Sequence, residues 1–166
     1  MSNRVMPDPV RLGDHVQTTM ITPFHNWENS TTEPDGRRMV MGYALPAWQR
    51  DLVWTDDQQI RLLESAWRGL NIGTYTINHS PRYRGPFDNL LIDGQQRLYA
   101  LQRYFEGAFP VFGYRWSEIT EADRRGILMS RHFSSYITRT DDEDYLRNYY
   151  NMMNFGGTAH KESERA

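Results

Sequence analysis

Cysteine is missing from all 166 residues, which excludes disulfide bonds, thiolate metal centres and thiol nucleophiles and agrees with a reducing compartment. Lysine is nearly missing as well: Lys161 stands alone, and every other cationic side chain is an arginine. Arginine pairs with phosphate through a planar fork and stacks on bases, which suits work on nucleotides or DNA, although a GC-rich coding sequence gives the same bias. There is no excess of positive charge. At a net −2, any contact with nucleic acid has to come from a local patch. No stretch approaches the roughly 18 consecutive apolar residues of a membrane span, and the N-terminus has no secretory pattern. A cytoplasmic protein with no membrane partner is therefore expected, in the host cytoplasm if the chain is phage-encoded. His15, His25, His79 and His132 show no metal-ligand spacing, so no zinc site is expected. Internal repeats and low-complexity tracts are also absent.

What is present fits one domain with a sizeable core. Residues 1–38 read as an irregular N-terminal arm, punctuated by Pro7, Pro9, Pro23, Pro34 and a turn at Asp35-Gly36. Residues 39–166 form the folded, catalytic part. Met39 to Ala44 is expected as a first strand. Thr55 to Gly69 has the plainest helical pattern, with Thr55 and Gln58 as a capping box, Ile60, Leu63, Trp67 and Leu70 at helical spacing, and Gly69 as the stop. Gly73 to Asn78 alternates as a strand, with Tyr75 and Ile77 on one face and Thr74 and Thr76 on the other. Asn89 to Ile92 reads as a buried strand, followed by a helix burying Leu98, Leu101 and Phe105 and stopping at Gly107. A short strand over Phe109 to Phe112, a helix from Thr120, a strand over His132 to Arg139 and a helix over Asp141 to Met153 complete the expectation. In the last helix Leu146, Tyr149, Tyr150 and Met153 face inward.

Chemistry concentrates in Leu90-Leu91-Ile92-Asp93-Gly94-Gln95-Gln96-Arg97-Leu98. An apolar strand runs through Asp-Gly directly into a helix, so several unpaired backbone N–H groups and the positive end of the helix dipole converge on one small volume. Such a volume suits a phosphate. Arg97 lies in the first helical turn, where its fork can close on phosphate oxygens, and Asp93 is the group able to accept a proton or hold a magnesium ion. A plain helix cap at Asp93 and a solvated Arg97 would give the same local sequence. Arg82, Tyr83 and Arg84, in a proline-flanked loop, are candidates for the DNA backbone, or simply an exposed polar loop.

Two further segments complete a pattern. Tyr43-Ala44-Leu45-Pro46-Ala47-Trp48-Gln49-Arg50-Asp51-Leu52-Val53-Trp54 precedes the first long helix, and Asn154-Phe155-Gly156-Gly157-Thr158 follows the last. The order Gln-Arg, Trp, helix, strand, Asp-Gly-Gln-Gln-Arg-Leu, helix, Asn-x-Gly-Gly-Thr resembles the N-terminal domain of GmrSD-type restriction systems, over roughly residues 40–162. The resemblance implies a single α+β domain of the ParB/sulfiredoxin-like superfold, a small mixed sheet flanked by helices. It also implies phosphate chemistry in a nucleic-acid context. The missing cysteine excludes the peroxiredoxin repair of sulfiredoxin itself.

Carried onto matching positions, the resemblance implies a nucleoside triphosphate held by Gln49, Gly94, Gln95, Gln96, Arg97, Asn154, Gly156, Gly157 and Thr158. Asp93, Arg97 and Arg50 are the expected catalytic groups, with Asp93 as base or magnesium ligand, and Arg82, Arg84 and Trp54 the expected DNA contacts. Arg50 paired with Asp51 or Asp56, Trp54 as a hydrophobic staple, and the glycines as a helix stop remain alternatives. His160 and Glu162 are additional acid or base candidates. Some small phage members of the superfold resemble kinases acting on hydroxymethylated pyrimidines, and this chain ends where larger relatives append an effector domain. The resulting expectation is an ATP-dependent, magnesium-using phosphotransferase that phosphorylates the hydroxyl of 5-hydroxymethyluracil in DNA. A nucleotide-hydrolysing restriction or anti-phage subunit and a non-catalytic DNA-binding module are its rivals.

Overall fold

The computed structural model describes Met6, Pro9, residues 11–30 and residues 36–155. Its centre is a mixed sheet in the order β1-β6-β4-β5-β3-β2. The strands are β1 (Asp14–Val16), β2 (Met39–Val40), β3 (Tyr43–Ala44), β4 (Tyr75–Asn78), β5 (Leu90–Asp93) and β6 (Ser135–Thr138). β4 pairs antiparallel with β5 and parallel with β6, and β3 pairs parallel with β5. The helices are α1 (Ile21–Glu28), α2 (Asp56–Trp67), α3 (Gln95–Phe105), α4 (Glu121–Ser130) and α5 (Glu143–Phe155). The architecture is α+β, as expected.

Each sheet face carries its own core. On one face Tyr75, Ile77 and Leu91 pack with Leu63 and Ala66 of α2, Leu98, Leu101 and Tyr104 of α3, and Ile127 of α4. On the other, Ala44, Leu90 and Ile92 pack with Leu146, Tyr149 and Tyr150 of α5. Both faces of β4 and β5 are thus covered, which explains why Leu90 to Ile92 is an unbroken apolar run rather than an alternating one. The α2 start is the capping box read from Thr55 and Gln58. Leu70 and Met153, expected inside, are exposed. Among the described residues no helix is long and apolar enough to cross a membrane.

Three expectations change. The segment read as an irregular arm contains β1, which pairs with β6, and α1, whose Phe24 lies 5.0 Å edge-on to Phe105. Pro23 is no obstacle there, because it occupies the first turn of α1, where a backbone N–H has no helical acceptor. The Met39 to Ala44 strand is a two-stranded hairpin, turning at Met41 (φ 52°) and Gly42 (φ 78°). Methionine is a poor turn residue; it is held there because Met41 N–H donates to Gln102 at 2.7 Å and its carbonyl accepts from Asn26 at 2.7 Å. Phe109 to Phe112 is a tight turn with a lone bridge between Val111 and Tyr114, as positive φ angles at Phe112 and Gly113 reverse the chain.

Candidate functional site

β5 ends and α3 begins within one residue. Gly94 makes the connection at φ 93°, and a Cβ there would stand 2.7 Å from Tyr75 Cβ and 3.1 Å from its Cα. Only glycine fits. Having no side chain, Gly94 cannot cap α3, whose first backbone bond runs from Leu98 N–H to Gly94 carbonyl at 3.0 Å. The first-turn N–H groups therefore receive no side-chain cap from this residue.

Asp93 reaches its position through a β-bulge. Leu91 lies opposite Ile77 but Asp93 opposite Thr76, so β5 contains one residue more than β4 over this interval. The extra residue turns Asp93 away from the face that strict alternation with Leu91 would assign and onto that of Thr76. Behind it, Thr76 Oγ1 lies 3.1 Å from the Tyr149 hydroxyl, which itself donates to the Leu12 carbonyl at 3.1 Å. Burial raises the Tyr149 pKa above its ordinary value, and the charge of Asp93 adds to the rise. The sequence marks Thr76 as a strand residue and Tyr149 as inward-facing but not as parts of the site, because no local pattern connects residues that meet only through the bulge and the packing of α5.

Arg97 pairs with Asp93, Nη2 to Oδ2 at 3.3 Å, in an i,i+4 arrangement whose side chains are 26% and 15% exposed. The same nitrogen donates to the Thr74 carbonyl. The fork expected to stand over the helix N-terminus is thus folded against Asp93 and Thr74, while its buried Nε has no hydrogen-bond partner among the described residues.

The glutamines of the motif act as a latch. Gln96 donates to the Asp51 carbonyl at 3.1 Å and accepts from Val53 N–H at 3.2 Å and Trp54 N–H at 3.3 Å. Gln95 donates to the Arg50 carbonyl at 3.1 Å. From the other side Gln49 donates to the carbonyls of Leu91 and Ile92, the latter at 2.9 Å. β3 meets β5 at a single pair, Ala44 with Leu90, so the Gln49 amide serves where a longer strand would have. Residues 46–54 are thereby fastened to the β5–α3 junction. Gln49 Oε1 and Gln95 Oε1, like Arg97 Nε, are buried without hydrogen-bond partners among the described residues.

Arg50 does not form the ion pairs weighed for it. Asp51 is taken by Arg38 at 3.1 Å and Asp56 by Arg103, leaving the exposed Arg50 without an ion pair among the described residues. Trp54 is half-buried, with its backbone held by Gln96 and Gln59. Arg82 and Arg84 lie on an exposed loop, the first 3.3 Å from Asp141 and the second over the Tyr83 ring at 5.2 Å. Asn154 donates to the Tyr150 carbonyl at 2.9 Å in the last turn of α5, which the helix alone explains. Gly156, Gly157, Thr158, His160 and Glu162 lie outside the described residues. Among the described residues no cluster of three or more histidines or carboxylates could hold a metal.

Two cavities adjoin the junction. One, of about 400 Å³, includes Gly73 and Thr74, with Asn71, His15, Arg131 and His132 also on its wall. The other, of about 550 Å³, includes Gln49. Neither wall includes a residue from Leu91 to Arg97; the first includes Thr74, whose carbonyl receives Arg97, and the second Gln49, which holds β5.

Residues 33–164 match the family described as GmrSD restriction endonuclease, N-terminal domain. No curated protein and no solved structure matches the chain significantly.

Proposed function

The chain belongs to the family of GmrSD restriction endonuclease N-terminal domains, hence to restriction-related proteins that act on DNA, and from that premise we propose that it is an ATP-dependent phosphotransferase whose acceptor is a hydroxymethylated pyrimidine in DNA, 5-hydroxymethyluracil in the first instance. The ParB/sulfiredoxin-like superfold is part of the same reading. One observation carries it. Among the described residues, the buried side-chain atoms without hydrogen-bond partners include Gln49 Oε1, Gln95 Oε1 and Arg97 Nε of the motif, together with the hydroxyl of Tyr75, which packs on Gly94; Arg50 is exposed and the start of α3 has no side-chain cap. Leaving such atoms unpaired costs about 1–3 kcal/mol each, which a ligand with both donors and acceptors would recover.

In this reading the triphosphate lies along Gly94 to Arg97 and is clamped by the exposed Arg50, with Arg97 held on Asp93 at its edge. The rest of the donor nucleotide occupies the cavity beyond Thr74. Asp93 accepts the proton of the acceptor hydroxyl as its oxygen attacks the terminal phosphorus. A new P–O bond forms, the bond to the bridging oxygen breaks, ADP leaves, and the proton passes from Asp93 to solvent. Arg97, bonded to Asp93, orients that carboxylate and balances charge on the transferred group. As the alternative to its role as base, Asp93 would hold a magnesium ion, which would neutralise phosphate charge.

The test is transfer of label from γ-labelled ATP to DNA containing 5-hydroxymethyluracil. Transfer by the wild type, reduced by about 10²-fold or more in Asp93→Asn, is expected from losing a general base. Absence of transfer in the wild type, or equal transfer in both, refutes the proposal. Label released as free phosphate would instead assign water as the acceptor.

A further inference from the structure

The cavity of about 550 Å³ has Trp48 and Phe87 in its wall together with Pro46, Gln49, Arg38 and Arg147. Its size lies within the range of small-molecule sites, and its wall combines apolar rings with cations, which suits a planar heterocycle attached to an anionic backbone. Trp48 is half-buried and well supported: the Arg147 guanidinium lies 5.6 Å from its ring centroid and Tyr150 meets it edge-on at 5.3 Å. The cations are tempered rather than free, Arg38 by Asp51 at 3.1 Å and Arg147 by Glu143 at 2.7 Å, as expected of groups that exchange one anion for another. The loop that supplies Phe87 also carries the exposed Arg82, Tyr83 and Arg84.

A second, independent feature points to a ligand. Gln49 is 5% exposed, its amide nitrogen is committed to the carbonyls of Leu91 and Ile92, and its Oε1 is buried with no hydrogen-bond partner among the described residues. With the nitrogen already committed, the side chain offers a ligand one acceptor. That oxygen requires an N–H.

We infer that this cleft holds a pyrimidine base drawn out of DNA, stacked on the aromatic wall of Trp48 and Phe87, with its ring N–H donated to Gln49 Oε1. The inference rests on the proposed function and names how its acceptor is held. A substituent at C5 of a pyrimidine stands in the major groove of intact duplex. The Asp93 carboxylate, however, is only 15% exposed, so the hydroxyl must be carried into the protein rather than met at the groove. Gln49 connects the two places, lining the cleft while bonding to the two residues that precede Asp93. Uracil-type bases, with a ring N–H on the pairing edge, satisfy the oxygen directly. Arg82 and Arg84 are then backbone contacts for the flanking nucleotides.

The experiment measures binding of the full chain, without nucleotide, to three short duplexes that differ at one position: a single unpaired deoxyuridine, an abasic site, and a fully paired site. Wild type should bind the unpaired-base duplex roughly tenfold more tightly than the abasic one, the scale of one stacked base. Trp48→Ala should lose that preference, and so should Phe87→Ala, a second variant on the half-exposed loop in case the first fails to fold. Equal affinity of wild type for the unpaired and abasic duplexes overturns the inference. So does a preference that survives Phe87→Ala, or one abolished by saturating ATP, which would assign the cleft to the donor base. The assay involves no turnover, so its failure and a failure of phosphoryl transfer are separate results.

Discussion

Removing the Gln96 carboxamide should unfasten residues 46–54 from the β5–α3 junction. In Gln96→Ala three hydrogen bonds disappear: the donor to Asp51 carbonyl at 3.1 Å and the acceptor for Val53 and Trp54 N–H at 3.2 and 3.3 Å. A typical intramolecular hydrogen bond contributes about 0.5–1.5 kcal/mol net, and groups left unpaired in the interior cost more. Val53 is 61% exposed, so its amide regains water cheaply, which argues against the top of the range. The expected destabilisation is about 2–3 kcal/mol, or close to 1 M in the urea midpoint for a slope of about 2–3 kcal/mol per M. Gln95→Ala, which loses a single bond to the Arg50 carbonyl, should cost about 1 kcal/mol. Hydrogen exchange supplies the local readout, with protection at Val53 and Trp54 falling in Gln96→Ala and not in Gln95→Ala. A midpoint within error of wild type, with both amides still protected, would show that the motif glutamine does not hold the loop.

Gly94→Ala should destabilise the fold by about 2–4 kcal/mol, from the left-handed backbone and from a Cβ driven against Tyr75, as measured by urea unfolding; an unchanged midpoint would refute the close approach. Asp93→Asn should leave stability within about 1 kcal/mol, because the amide oxygen can still accept from Arg97, while phosphoryl transfer collapses; equal losses of both would make the carboxylate a purely structural group. Burial raises the phenol pKa values of Tyr43, Tyr75, Tyr104 and Tyr149 above their ordinary 10.0. The folded state then holds protons that the unfolded chain releases, so stability is fully present below about pH 10 and falls as pH rises beyond it. Ultraviolet titration of the ten tyrosines should show a group that ionises only as circular dichroism is lost; uniform titration near pH 10 in the folded protein would contradict it.

What the sequence determined on its own is local. The Thr55 and Gln58 box, the positive-φ stop at Gly69, the apolar run of β5 and the Asp-Gly entry into α3 are interactions between residues within a few positions, so their chemistry is written in short windows. The pair of Arg97 with Asp93 spans only one helical turn, yet the sequence pointed that fork at a phosphate and the structure turns it onto Asp93. The elements that could not be read depend on contacts between distant segments. Met41 adopts a turn conformation because Gln102 and Asn26 hold its peptide, and residues 11–30 take regular structure because β1 finds β6 and Phe24 finds Phe105. Only the tertiary structure decided that Gln49 and Gln96 bind backbone, that Asp51 and Asp56 are claimed by Arg38 and Arg103 rather than Arg50, and that a bulge sets Asp93 beside Thr76. Backbone carbonyls and N–H groups exposed at the end of a short strand must find partners wherever the fold brings them. That requirement, invisible in any window of sequence, selects which polar side chains become structure and which stay open to a ligand.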